Sequence, residues 1–244
     1  MKNTIKSIIF ILTVGFITNC SMTYKMPLSL KENFTFQYTP EKKDLDSLIN
    51  INGYYTIIDI DSLRYPKGFS GQKWEYVIDT FYMNYLFFDD GIILKNMFSS
   101  ERTSDTIDLP KYLTRMAKDT TNSLKLWGTW GTYIISGDTI KTQTIHPSGS
   151  LNDGWSGWEN YFKVINRTTI KLIYAKPIHY LSPSDKKIYT EQYYQEKIKD
   201  VKPAIFIESE LIPSSDCWMK KEKWFWKNEK DYSEFMKKTV ANKK

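Results

Sequence analysis

The chain has 244 residues, 41% hydrophobic and 16% aromatic, with 34 Lys and Arg against 28 Asp and Glu. That mass of apolar and aromatic side chains suffices for a packed core, and the length suits one domain, since all-β barrels routinely reach this size. The net charge of +6 is that of an ordinary solvated surface, and local runs such as Lys220, Lys221 and Lys223, Lys237 and Lys238, and Lys243 and Lys244 are read as solvated faces in preference to a nucleic-acid site.

Lys2 and Lys6 precede an almost wholly apolar run, Ile8 to Ile17 (IIFILTVGFI), and no acid occurs before Glu32. Such a run makes about 15 Å of helix against a hydrocarbon core of about 30 Å, too short to span. It predicts a signal peptide over residues 1–19. The run stops at Cys20 behind Ile17, Thr18 and Asn19, which resembles the looser lipobox of Bacteroidetes-type lipoproteins. That resemblance implies cleavage before Cys20 and acylation of its thiol. A plain secretory signal with an incidental cysteine is the competing reading. One buried chain gives marginal membrane binding at about 0.8 kcal/mol per CH₂, whereas the several chains of a mature lipoprotein hold firmly. Ser21 after the cysteine implies the outer membrane and leaves the leaflet open.

Residues 20–49 are then expected to be the acylated cysteine and a tether, with Pro27 inside it, ahead of a single domain over 50–244. Removing residues 1–19 takes away Lys2 and Lys6 and leaves 32 basic against 28 acidic side chains. Cys217 becomes the one remaining thiol, so no intramolecular disulfide forms. Beside Trp218 it is expected to be buried and inert.

From Asn52 the punctuation is that of hairpins. Tyr54 to Ile60 predicts a strand, DSLRYPKGFSGQ a loop, and Lys73 to Phe88 one long bent strand or two. Asp89-Asp90-Gly91 supplies the turn back through Ile92 to Asn96. Residues 107–118 predict a short helix, capped by Asp108 with Pro110 in its first turn. In the hairpin over 130–145, Trp130, Thr132 and Ile134 alternate with Gly131, Tyr133 and Ile135, and Ser136-Gly137-Asp138 turns the chain. The glycine-rich HPSGSLNDGWSG predicts a loop that carries Trp155 and Trp158 on a mobile stretch. Tyr161 to Ile165 and Thr169 to Tyr174 form a further hairpin. A helix from Glu191, a last strand over 204–211 and a helix through Tyr232, Phe235, Met236 and Val240 complete the chain.

About eight hairpin-linked strands cannot build βαβ units and predict a closed, all-β, antiparallel up-and-down barrel with short helical insertions and a C-terminal helix. "NGYYTI" (52–57), "GTYIISGDTIKTQTI" (131–145) and "ENYFKVINRTTIKLI" (159–173) resemble the lipocalin-like lipoproteins of Bacteroidetes-type bacteria. The resemblance spans about residues 50–212 and implies a lipocalin-like barrel. Gly53-Tyr54-Tyr55 stands where the usual lipocalin opening has G-x-W, and the inserts at 97–123 and 180–202 depart from a plain barrel.

Catalytic and metal chemistry find little support, and the sequence implies no cofactor. His146 and His179 lack ligand spacing and read as rim residues. "GFSGQ" (68–72) lacks the strand–turn–helix context of a nucleophile elbow. Asp59 and Asp61, or Asp89 and Asp90, offer carboxylate pairs for glycoside hydrolysis, but among so many acids such adjacency is expected. The aromatics are more informative. Trp127, Trp130, Tyr133, Trp155 and Trp158 form either a stacking platform at a barrel mouth for a small apolar or aromatic ligand, or core packing with Trp130 at the barrel floor. "CWMKKEKWFW" (217–226) is either a membrane-surface amphipath or, on the favoured reading, an aromatic patch packed on the barrel exterior. The leading expectation is a non-enzymatic, lipid-anchored envelope barrel that binds a small ligand or serves structurally. The alternative is a partner- or glycan-binding subunit of an envelope complex.

Overall fold

The computed structural model describes residues 26–41, 43–67, 73–99, 128–147, 154–179, 190–210 and 212–241, with side chains at 59–67, 73–81 and 96–99 outside the description. Cys20, Trp127, GFSGQ and the helix expected over 107–118 lie outside the described residues. Eight antiparallel strands form a closed up-and-down barrel, lipocalin-like in form, in which each strand pairs with the next and the last pairs with the first. They are β1 (Gly53–Lys67), β2 (Lys73–Phe87), β3 (Ile92–Ser99), β4 (Thr129–Ser136), β5 (Thr139–His146), β6 (Ser156–Asn166), β7 (Thr169–His179) and β8 (Ala204–Glu208). Among the described residues three α-helices accompany them: α1 (Leu28–Asn33), α2 (Glu191–Ile198) and α3 (Glu229–Ala241).

The hairpin chemistry follows the sequence. Gly91 takes φ +91° after Asp89-Asp90, and Gly137 takes φ +62° as the first central residue of a β4–β5 turn, conformations that favour glycine. Asn166 closes the β6–β7 turn by accepting from the Thr168 amide at 2.9 Å. These three turns gather at one end of the barrel. A 3₁₀ turn over Leu45–Ser47 covers that hairpin end, with Leu45 and Ile49 buried in the interior.

Strand periodicity sorts the wall into two faces, and both faces are buried. The interior takes Tyr55, Tyr85, Ile93, Tyr133, Phe162 and Ala204 among residues drawn from all eight strands. Tyr85 meets Phe162 edge-to-face at 4.9 Å and Phe87 meets Tyr133 likewise at 5.7 Å, so aromatic rings fill the hairpin half. On the opposite face, Leu86, Leu94, Trp130 and Ile145 join a second core with Leu30, Phe34 and Tyr38 from the N-terminal segment and Cys217, Met219 and Phe225 from the C-terminal one. Tyr38 bridges Trp226 in parallel, and its ring stacks on Phe225 at 5.4 Å. Residues 26–49, expected as tether, therefore pack onto the barrel from α1 onwards. Cys217 to Trp226 forms two 3₁₀ turns on the barrel exterior, the packing reading of that segment.

Two further segments differ from the sequence expectation. The loop assigned to 146–157 ends early, because β6 begins at Ser156 and pairs Trp158 with Thr144 and Pro177. Gly157 is there for space: a Cβ would sit 2.5 Å from Leu30 Cδ1 and 2.6 Å from Ile178 Cγ1. The last strand stops at Glu208, and β7 meets β8 through only Thr169–Ile205 and Ile170–Ala204. Helix α2 occupies the seam that this leaves. Thr190 caps it by accepting from the Tyr193 amide, Gln195 Nε2 donates to the Ala175 carbonyl at 2.9 Å, and Ile198 enters the inner core. Among the described residues no helix is long and apolar enough to cross a membrane.

Candidate ligand site inside the barrel

Four of the five aromatics expected as one platform are described, and the wall divides them. Trp130 faces outward, is 1% exposed and stacks on Phe88 at 6.1 Å. It forms no barrel floor. Trp155 also packs against the outer core, edge-on to Trp218 at 5.6 Å. Tyr133 faces inward but sits in the filled half, where its hydroxyl donates to the Phe88 carbonyl at 2.6 Å. Trp158 alone faces the interior in the half remote from the hairpin turns. Trp127 lies outside the described residues.

Around Trp158 the interior changes character. Its ring meets Tyr194 of α2 at 5.0 Å with perpendicular planes. Lys95 of β3 shares the inward face of Ile93 and places Nζ 5.9 Å from the ring centroids of both Tyr85 and Trp158. Burial pushes the Lys95 ammonium down from 10.5 to about 8, since withdrawal from water disfavours the charged form. Thr142 and Thr144 of β5 and Asn160 of β6 complete the wall here by register, with Thr142 opposite Asn160 and Thr144 opposite Trp158. Thr142 Oγ1 donates to the Asn160 carbonyl at 3.3 Å. Thr144 Oγ1 and Asn160 Nδ2 belong to residues 1% and 4% exposed and have no hydrogen-bond partner among the described residues.

Among the described side chains, the acids nearby lie on the other side of the wall. Glu159, between Trp158 and Asn160, faces outward and accepts from Gln143 Nε2 at 2.7 Å and the Tyr161 hydroxyl at 2.6 Å, with Lys176 at 3.6 Å. That hydrogen bond pushes the Tyr161 hydroxyl up to about 12. Gln143 Oε1 in turn accepts from the Thr35 and Phe36 amides, pinning the N-terminal segment to β5. Asp90 serves the outer core: its Oδ2 accepts from Lys220 Nζ and Ser215 Oγ, both at 2.8 Å, and from the Tyr38 hydroxyl at 3.4 Å. Buried Cys217 has its thiol pushed up to about 12 by desolvation.

The expected rim histidines are separate residues with separate partners. His146 Nδ1 lies 3.0 Å from Thr129 Oγ1, and His179 Nδ1 lies 3.1 Å from Ser29 Oγ. No group of three His, Cys, Asp or Glu side chains suited to a metal occurs among the described residues. Sequence reasoning missed Lys95, Thr144, Asn160 and Tyr194. The available signal was the period-2 register of "IILKNMF", which puts Lys95 on the same face as Ile93.

Fold and site together define a small closed β-barrel with aromatic rings filling one half and with Lys95, Trp158, Thr144 and Asn160 on the inner wall of the other. Comparison of the chain with protein-family models, with curated proteins and with solved structures returns no match.

Proposed function

We propose that this chain is a non-enzymatic lipoprotein, anchored to the outer membrane through acylated Cys20, whose lipocalin-like barrel takes up a small apolar or aromatic ligand at the Lys95 end of its interior. The observation that supports the ligand is the juxtaposition of an inward cation, two rings and buried unpartnered polar atoms in one compartment. Buried polar groups are nearly always hydrogen-bonded, and such a departure marks a place where something else completes the set. The N-terminal residues support the anchor: a short apolar run closed by a cysteine.

Native mass spectrometry of the processed chain tests the ligand, with a co-purifying mass expected for the wild type and lost in Trp158→Ala. No bound species, together with no quenching of tryptophan fluorescence by flat apolar probes, rejects it. Cys20→Ala tests the anchor, with an unacylated precursor expected in the aqueous phase. Normal processing and unchanged detergent partitioning reject it.

A second reading, a partner- or glycan-binding subunit of an envelope complex, is favoured by Ile58, Ile205 and Ile207, which stand 46%, 51% and 37% exposed on the outer wall of β1 and β8. Loss of a cross-linked partner in Ile205→Lys, with ligand uptake intact, selects it.

A further inference from the structure

We infer that the ligand of the inner compartment carries a carboxylate on a flat apolar body, the carboxylate meeting Lys95, Thr144 and Asn160 and the flat body lying against Trp158. This rests on the small-ligand reading above and adds the chemistry of the ligand's head. The compartment offers donors in excess. Lys95 brings an ammonium with no acceptor of its own, and among the described residues no acid forms an ion pair with it. Its neighbours among the described side chains are two ring faces, which attract a cation and leave its N–H groups unspent. Thr144 Oγ1 and Asn160 Nδ2 are buried and unpartnered.

Three positions that can each donate, held on strands β3, β5 and β6 on the inner side of the wall, are complementary to a group that only accepts. A carboxylate is such a group, with two oxygens and about four acceptor directions. Lys95, with its ammonium near 8, is still charged at neutral pH, so the pairing is charge-assisted and shielded from water. A plain hydrocarbon ligand leaves all three donors unsatisfied, and a cationic one repels Lys95. The body of the ligand follows from Trp158 and Tyr194, whose perpendicular rings present a face and an edge.

The test compares acid and amide on one body. Benzoate, 1-naphthylacetate and 1-pyrenebutyrate, each beside its primary amide, are titrated calorimetrically into the processed chain. At least one acid is expected to bind about tenfold or more tighter than its amide, the difference a buried charge-assisted pair typically makes. Lys95→Met, which keeps the side-chain volume and removes the charge, is expected to equalise acid and amide. Thr144→Val and Asn160→Leu are each expected to weaken the acid several-fold and to leave the amide within twofold.

Acid and amide binding equally well to the wild type overturns the carboxylate while the small-ligand reading stands. An acid preference that persists in Lys95→Met overturns the assignment of residues. Binding by none of the six probes overturns the inference, and the native mass spectrum then decides the small-ligand reading by itself.

Discussion

Lys220 and Lys95 are both withdrawn from water beside tyrosine rings, one on each side of the same wall. Lys220 is 7% exposed, reaches Asp90 Oδ2 at 2.8 Å and lies over the Tyr38 ring at 5.2 Å. Among the described residues Lys95 has two rings and no acid. A buried charge with an acid, a hydroxyl and a ring around it is a structural fastening: it joins the β2–β3 turn to the C-terminal segment. A buried charge without an acid destabilises the fold that contains it. The outer core is therefore built to be closed, whereas on the inner side the described neighbours leave the Lys95 charge to ring faces.

Trp130→Ala is expected to show the outer core's weight most strongly. It removes a fully buried indole from the centre of that core, and such truncations cost about 3–5 kcal/mol. Denaturant unfolding checks it, and Trp158→Ala, half-buried in the inner compartment, is expected to cost about 1 kcal/mol beside it. Similar losses for the two break the division between a packed side and an open one.

Asp90→Ala comes next. It strands Lys220, and breaking a buried pair costs about 3–5 kcal/mol, reduced here to about 2–3 by the partial exposure of Asp90. Asp90→Ala combined with Lys220→Met is expected to recover most of that loss, as a double-mutant cycle reads out.

Lys95→Met is expected to move stability the other way, raising the melting temperature at pH 7 by a few degrees in the ligand-free protein. The sign with pH follows from the ammonium lying near 8 in the fold against 10.5 in the open chain. Below pH 8 both states hold the proton and the wild type bears the full penalty. Between pH 8 and 10.5 the unfolded chain binds more protons than the folded one, so wild-type stability rises. The advantage of Lys95→Met thus shrinks as pH rises through 8, and melts of both proteins from pH 7 to 10 measure it. A constant gap places Lys95 in contact with water.

The smallest effect is at Cys217. Buried and with its thiol near 12, it is expected to resist maleimide in the native state at neutral pH and to react fully in denaturant. Rapid native labelling shows that the C-terminal segment opens.

The strands and turns were legible in the sequence because they are local. Period-2 alternation separated Trp130, Thr132 and Ile134 from Gly131, Tyr133 and Ile135, and the structure keeps that division. Which set faces inward was not legible. Alternation reveals a solvent side only when one face is polar, and Leu30, Tyr38 and Phe225 cover the outer face of this wall. Trp130 on its own strand therefore looks like a barrel residue. Gly157 read as part of a mobile loop because its true neighbour, Leu30, lies far away in sequence. A lysine in a strand reads as solvated, so Lys95 gave no sign until pairing with Tyr85 fixed its side of the wall.

The bridge between Tyr38 and Trp226 has a consequence for the order in which the molecule is made. Tyr38 leaves the ribosome early, and its amide donates to the carbonyl of Phe225, which leaves nearly 190 residues later. Contacts this distant along a chain form slowly, because nearly the whole polypeptide must be gathered before they close. Until then Leu86, Leu94, Trp130 and Ile145 face outward under half a cover, an apolar patch of the kind that draws chains together. A barrel can thus be complete while its outer core is not, and in the interval between the two that patch lies open.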